Sequence, residues 1–586
     1  MALAVPAVVF APSLGFDWVY DDHRQIVANT DLESFNTVLT AWTQNVWANA
    51  PETTEARYYR PVFVIWLVIL RHLPGTGATG AHLGSLLLHL GVIAVLWGFL
   101  RRYTGSRLVA SAAALLFAVH PTRGESVAWV SGGGDGLAAL FGFGALWCLL
   151  TARPSLTAQV VRAPRLRGQL LAMVLYALAV FSKETAIGFL AFPALLALFG
   201  APHRPLRPRI FDAIRVTMPW ICVTLIYLLC RSSVIGELAP TRILVEPDQI
   251  NPTTLLLLGT YLQHLVAPDV LSISYPIKLI DNMTSPESQA ALRWVYGGVV
   301  VWVGLLALPV LTNMRPRISR ATPLLLLGVF FLLPVLRFST LSADALFQDR
   351  YLYLPSACLL TAVAWFLVEM HRWAMHKNRL LLFGLPILGI ALLGCSAYRL
   401  GSNLPAWKND LTLWSRAVEV NPKSSVAWFN RGVHFENNAN LDQAEHCYAK
   451  ATSLEPNRAI FHFRLAFMLA ERRENQRAKH HFIKAAALRP EDPMILYEAA
   501  RIEAAIGDPR RALRFLDQAV RSINHGTQPA GDVTRGAVLK ERQHVLSLLE
   551  SGVSRNTIEE EAEGEDGTEA PDSPEPSTEP ETPVNP

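Results

Sequence analysis

The chain has 586 residues, is 51% hydrophobic with only 17% charged residues, and has a mean hydropathy of +0.27. Soluble domains carry about 25% charged residues, so a large part of this chain belongs in lipid and a wholly aqueous protein is excluded. The net charge of +4 hides an acidic tail, Glu559–Pro586, with eleven acids and no Lys or Arg, beside a remainder of +15.

That positive excess lies in short clusters between apolar runs, at 101–107, 153–167, 204–215, 315–320 and 372–379. Membrane topology needs such clusters, so the basic pI requires no nucleic acid as a partner. The six cysteines form no CxxC pair. Neither a disulfide framework nor a zinc site is expected from them.

A spanning helix takes about 20 mostly apolar residues. Roughly eleven candidate spans are predicted, at 1–16, 80–100, 108–120, 132–152, 168–182, 185–200, 216–236, 292–314, 321–337, 351–370 and 380–398. The first reads as an uncleaved anchor rather than a signal peptide. Each basic cluster follows an even-numbered span, which puts the N-terminus in the cytosol and, with an odd count, the C-terminal region on the outer face. Segments 17–79 and 237–291 then lie outside, and their apolar stretches 61–73 and 253–266 are expected to lie in the interface.

Several polar motifs punctuate this apolar half. Asp21 and Asp22 follow the first span in DWVYDDHRQI. They read either as a solvated or capping pair, or as a general base at the membrane face. Arg60 in YYRPVF is a snorkelling arginine or a phosphate contact. His120 and Glu125 in AVHPTRGESVAW are five apart. A structural hydrogen bond or cap is favoured there over metal ligation. Lys183 and Glu184 in FSKETA mark a tight hairpin or a functional site. Arg350 and Tyr351 in QDRYLYLPS anchor a helix at the interface or hold a lipid phosphate. By the topology above, all of these fall on one side of the membrane.

From about residue 406 the pattern becomes charged and amphipathic. Pro422, Pro456 and Pro490 recur every 34 residues, as do Ala444, Ala478 and Ala512, and Ala451, Ala485 and Ala519. That is the tetratricopeptide period. Trp428, Gly432, Phe435, Ala444, Tyr448, Ala451 and Pro456 fill the pattern in the first full repeat. The expected parts are a half-repeat 406–422, repeats near 425–458, 459–492 and 493–526, a helix 528–556 and a disordered tail 557–586. The fold class is therefore all-α, a membrane bundle over 1–400 followed by an α-solenoid over 401–527.

The order VYDD, YYRPV, HLGSLLLH, HPTRGESVAWVSG, FSKET, RYLYLPS and then repeats resembles the GT-C glycosyltransferases. The closest likeness is to their transmembrane and tetratricopeptide repeat-containing type, the protein O-mannosyltransferases. The resemblance covers about residues 10–525. It implies a transferase that moves a mannose-like sugar from a polyprenyl-phosphate donor to a protein Ser or Thr hydroxyl, with an acid of the first outer loop as base. Asp21 is the first choice and Asp22 the second. Arg60, Lys183 and Arg350 become donor-phosphate contacts, with His120, Glu125, Glu184 and Tyr351 in support. The segment VSGGGDGLAALF lacks the basic residues that precede the family's Asp, which speaks against a role for Asp135.

No metal or other cofactor is indicated, since no dense His or Asp cluster appears. The expected setting is a bacterial inner membrane with periplasmic repeats, or an endoplasmic reticulum with lumenal ones. The expected partners are the lipid-linked donor, an acceptor protein held by the repeats, and the bilayer. The competing reading is a non-catalytic membrane scaffold whose repeats recruit proteins.

Overall fold

The structure is a computed structural model. It describes residues 3–48, 58–73, 77–152, 165–200, 205–236, 247–277, parts of 286–300, 315–336, 346–377, 379–525 and 533–550. The expected span 292–314 lies mostly outside the described residues, and the acidic tail wholly so. The described residues are helical and connecting segments, with no strand among them.

The expectation of eleven spans is not confirmed. Among the described residues five helices are long and apolar enough to cross a membrane: Ala78–Thr104, Val130–Ala152, Leu206–Ile235, Asp349–Met375 and Phe383–Trp407. Six more apolar helices, including Pro61–Arg71, Arg107–Ala118, Leu166–Ser182 and Ala321–Leu336, are shorter than that. Counting apolar runs does not separate a spanning helix from a short buried one, because both need the same composition.

Exposure sorts the five. The apolar stretch of Ala78–Thr104 is 61% buried, whereas that of Phe383–Trp407 is 6% buried. Phe383, Ile387 and Ile390 all point outward. An apolar helix with an unburied apolar face is stable only against lipid. The inner helices pack through small residues, as expected where no hydrophobic drive separates helix from lipid. Gly142 is the tightest case, where the Phe189 ring occupies the space a Cβ would need.

The chain divides into two compact units, Met1–Leu454 and Glu455–Pro586. The first holds the apolar bundle together with the helices Asp410–Val420, Ser425–Asn437 and Leu441–Leu454. Its core runs from Phe10 through the inner helices to Trp407, Leu413, Trp414 and Ala417. Asn409 caps the helix Asp410–Val420 through a box with Thr412.

The second unit contains the helix pairs Ala459–Glu471 with Asn475–Leu488, and Pro493–Ile506 with Pro509–Asn524, then Arg535–Glu550. First helices start at Ser425, Ala459 and Pro493, and second helices at Leu441, Asn475 and Pro509. Both sets step by 34 residues, so the proline and alanine registers of the sequence mark true structural units. Ala478, Ala485, Ala512 and Ala519 are fully buried. Glu503 is buried among Lys479 at 3.1 Å and Arg511 at 3.4 Å.

Candidate functional site

The acid pair opens a helical turn that runs on into His23–Val27, after an irregular stretch that follows the first apolar helix. Its two members have different surroundings. Asp22 is fully buried. Its Oδ1 accepts the Ser131 amide at 2.8 Å and the Ser131 hydroxyl at 2.6 Å, and its Oδ2 accepts the Val19 amide at 3.3 Å. Asp22 therefore ties its loop to the turn Val130–Gly133. Burial pushes its carboxyl up to about 6, against the lowering pull of the Ser131 bonds.

Asp21 is half-buried, and its side chain makes no hydrogen bond or ion pair among the described residues. Loss of water pushes its carboxyl up to about 7, opposed by Arg350 and reinforced by Asp22. An unengaged carboxylate that titrates near neutrality is suited to take up a proton. The half-buried edge leaves it reachable.

The three expected phosphate contacts come to the same region, each already matched to a carboxylate. Arg60 grips Glu184 with two parallel bonds, Nε to Oε2 at 2.9 Å and Nη2 to Oε1 at 2.5 Å. Its guanidinium also lies over the Tyr58 ring. Burial alone would raise the Glu184 carboxyl, but Arg60 overrides it and holds that carboxyl well below the usual range. Lys183 Nζ is 2.6 Å from Asp135 Oδ2, with both side chains nearly inaccessible. Arg350 donates from Nη1 to Glu125 Oε1 at 2.6 Å and from its backbone amide to Oε2 at 3.0 Å. Its guanidinium faces the rings of Trp129 at 4.8 Å and Tyr351 at 5.3 Å.

These pairs form one electrostatic network. Arg350 acts on Asp21, Lys183 feels both Arg60 and Arg350, and Lys183 lies 5.5 Å from the Tyr351 ring. Residues from five separate motifs thus converge. What sequence reasoning missed is the balance: Glu184, Asp135 and Glu125 answer Arg60, Lys183 and Arg350 one to one, so the cluster holds no surplus of positive charge. Each cation nevertheless retains N–H groups beyond its pairing, since Lys has three and Arg five.

His120 and Glu125 do not act together. His120 shares Nδ1 with the Thr122 hydroxyl at 2.9 Å and Nε2 with the Leu265 carbonyl at 3.0 Å, while Glu125 turns to Arg350. Both imidazole nitrogens are engaged, which fits the structural reading. Among the described residues no set of three or more His, Cys, Asp or Glu side chains could hold a metal.

Three further residues carry the site: Arg123 and Asp349 escaped the sequence reading, and Asp135, which that reading spoke against, pairs with Lys183 because the fold brings the two together. Asp135 is the partner of Lys183, and nothing local signals a partner 48 residues away. Arg123 is wholly buried, bonds to Ser356 at 2.5 Å and lies between the Phe117 and Tyr353 rings, so it anchors the start of the helix that presents Arg350. Asp349 takes His264 at 3.1 Å and the Tyr275 hydroxyl, and so fixes the residue beside Arg350. A narrow cavity of about 20 Å3, enough for a water, lies between Glu125, Asp349, Trp407 and Arg416.

Comparison with known proteins agrees with the sequence resemblance. No protein-family model matches the chain. A Caenorhabditis elegans protein O-mannosyl-transferase is 26% identical over 474 residues, covering 78% of this chain and 62% of its own. Mouse protein O-mannosyl-transferase TMTC3 is 24% identical over 78% of this chain and 51% of its own. Human protein O-mannosyl-transferase TMTC4 is 38% identical over a shorter match, 24% of this chain and 21% of its own. The chain thus spans only about half to three-fifths of the length of relatives that match most of it.

Proposed function

We propose that this protein is a membrane glycosyltransferase that moves a mannose-like sugar from a polyprenyl phosphate to a Ser or Thr hydroxyl of a protein, with Asp21 as the base. The observation that carries the reading is the contrast within the acid pair. Asp22 is consumed by Ser131 and Val19, whereas Asp21 stands unengaged beside Arg350 and titrates near pH 7. The similarity to protein O-mannosyl-transferases supports the reaction class.

In this reaction Asp21 removes the hydroxyl proton as the acceptor oxygen bonds to the anomeric carbon. The bond from that carbon to the phosphate oxygen breaks, and its electron pair leaves with the polyprenyl phosphate. The phosphate is a good leaving group, so a second carboxylic acid is unnecessary, unlike the paired acids of glycosidases. In-line displacement inverts the anomeric carbon. Arg350, Lys183 and Arg60 stabilise the charge that grows on the phosphate. They are held in place by their carboxylates and turn their remaining N–H groups to the donor. The aromatic rings of Tyr58, Trp129 and Tyr351 line the approach. The repeats bind the acceptor chain and raise its effective concentration. The reading places the site and the repeats on the outer face of a bacterial inner membrane, or in the lumen of the endoplasmic reticulum.

A second reading has its own observation. Arg60, Lys183 and Arg350 each already have a carboxylate, as in a purely structural ion-pair network, and a scaffold that only displays its repeats needs nothing more. Purified protein in detergent or nanodiscs, given radiolabelled mannosyl polyprenyl phosphate and an acceptor protein, separates the two. Transfer that Asp21→Asn lowers by roughly a hundredfold or more supports the enzyme. No transfer by the unaltered protein with any sugar donor tried favours the scaffold.

A further inference from the structure

We propose that Asp410, in the first turn of the helix that opens the repeats, is a positioning residue that clamps the acid-bearing loop from both ends. This inference rests on the assignment of Asp21 as the base. One carboxylate oxygen of Asp410 accepts the Tyr20 amide at 2.8 Å, and the other lies 2.8 Å from His23 Nε2. Asp21 and Asp22 are the two residues between those contacts.

Tyr20 shows why a clamp is needed. Its φ is 55°. A bulky L-residue rarely enters that left-handed region, and does so only when its surroundings over-determine it. Released, the tyrosine would return to an ordinary conformation and swing the next residue, Asp21, away from Arg350. The surroundings that hold it come largely from the repeat side. The Tyr20 ring packs edge-on against Trp414, 5.2 Å between centroids, and tilts over Trp129 at 5.7 Å. The Asp17 amide donates to the Lys408 carbonyl at 2.9 Å.

Asp410 is itself free to act outward. Its own helix is capped by Asn409, whose Oδ1 accepts the Thr412 amide at 3.0 Å while the Thr412 hydroxyl accepts the Asn409 amide at 3.1 Å. The capping box fixes the backbone from which Asp410 projects. Its carboxylate is therefore not spent on the helix it begins. The His23 arm is electrostatically supported: Asp410, Asp22 and Asp17 all favour its protonated form, while Arg24 follows it in the chain and partial burial opposes. The half-repeat is thus part of the catalytic framework and not merely a connector, and the base is set by a residue nearly four hundred positions later in the chain.

The test uses full-length Asp410→Asn and Asp410→Ala, measuring sugar transfer from mannosyl polyprenyl phosphate and hydrogen exchange of residues 17–28. Asn keeps a carbonyl able to accept the Tyr20 amide, and Ala keeps nothing. We expect Ala to lower kcat roughly tenfold or more through misplacement of the base, with the donor KM changed by less than about twofold. Asn should restore most of that loss. Exchange should quicken in 17–28 in the Ala variant and stay unchanged in 78–104. Should the Ala variant not fold, His23→Ala removes one arm alone and is expected to speed exchange at the same segment. Unchanged kcat in the Ala variant, or exchange that rises throughout the bundle, overturns the positioning role and leaves Asp410 a packing contact. Unchanged exchange in 17–28 in a folded variant overturns it as well. Full activity in Asp21→Asn instead overturns the base assignment, and the exchange result still judges the clamp.

Discussion

Replacing Asp135 with Asn probes the most deeply buried ion pair of the site. In the intact protein Lys183 Nζ sits 2.6 Å from Asp135 Oδ2, with side chains 6% and 3% exposed. Burial already holds the Lys183 ammonium below its ordinary range, and Asp135 is the chief force opposing that shift. The carboxamide of Asn fits the same space, so packing is kept and only the charge goes. Lys183 then faces Arg60 and Arg350 in a dry environment and sheds its proton. Neutralising a lysine of ordinary pKa about 10.4 at pH 7 costs about 4.6 kcal/mol, which caps the deficit. Breaking one side of a buried pair costs about 3–5 kcal/mol, so the variant should lose about 3–4.6 kcal/mol at pH 7. The sign with pH follows from proton counting. The unfolded variant binds one proton more than the folded one, so its stability rises with pH, and the deficit shrinks by about 1.4 kcal/mol between pH 7 and 8. Equilibrium unfolding in mixed micelles, followed by tryptophan fluorescence at both pH values, reads this out. A deficit below about 1 kcal/mol, or one independent of pH, refutes the buried-pair reasoning.

Other outcomes follow from the same geometry. Because Asp21 must be ionised to accept a proton and titrates near 7, kcat for transfer should rise from pH 6 to 8 and then level; a flat profile contradicts the assignment. The same raised carboxyl makes the ionised form unfavourable in the fold, so stability is lost as pH climbs through the window from the ordinary Asp value to about 7. Asp21→Asn should therefore raise the melting temperature at pH 8 and leave it unchanged at pH 3.5. Ser131→Ala should remove the hydroxyl bond to buried Asp22 and lower stability by about 1–3 kcal/mol, measured by the same unfolding assay. Gly432→Ala would place a Cβ 2.7 Å from the Tyr448 ring and 3.2 Å from Cys447 Cβ. The overpacking should cost about 1–3 kcal/mol in the first compact unit, and an unaltered melting temperature would show that the two helices separate easily.

Local chemistry made some of this architecture legible. The 34-residue registers expose the helix pairs because Pro422, Pro456 and Pro490 follow helix ends, and because close packing tolerates only small residues at Ala444, Ala478 and Ala512. Short polar motifs between apolar runs marked which segments converge, since a charge beside lipid must find a partner. The partners themselves were hidden. Asp135 looked unpromising because the basic residues that precede the family's Asp are missing from its segment, and only the fold delivers Lys183 to it. Asp410 read as part of a repeat, and its contact with Tyr20 spans 390 positions. The span count is not confirmed for a related reason. Composition reports whether a helix avoids water, not whether it faces lipid or other helices, so the 12-residue helix Arg107–Ala118 and the 27-residue Ala78–Thr104 gave the same signal.

The proposed reaction requires the donor phosphate to reach Arg350 with Asp21 close by. A photoreactive mannosyl polyprenyl phosphate analogue, crosslinked to the purified protein and mapped by mass spectrometry, tests it directly. Labels should concentrate in residues 17–26 and 346–356, compete with unmodified donor, and fall when Arg350 is changed to Gln. Specific labelling confined to other helices, with both segments unmarked, would contradict the account.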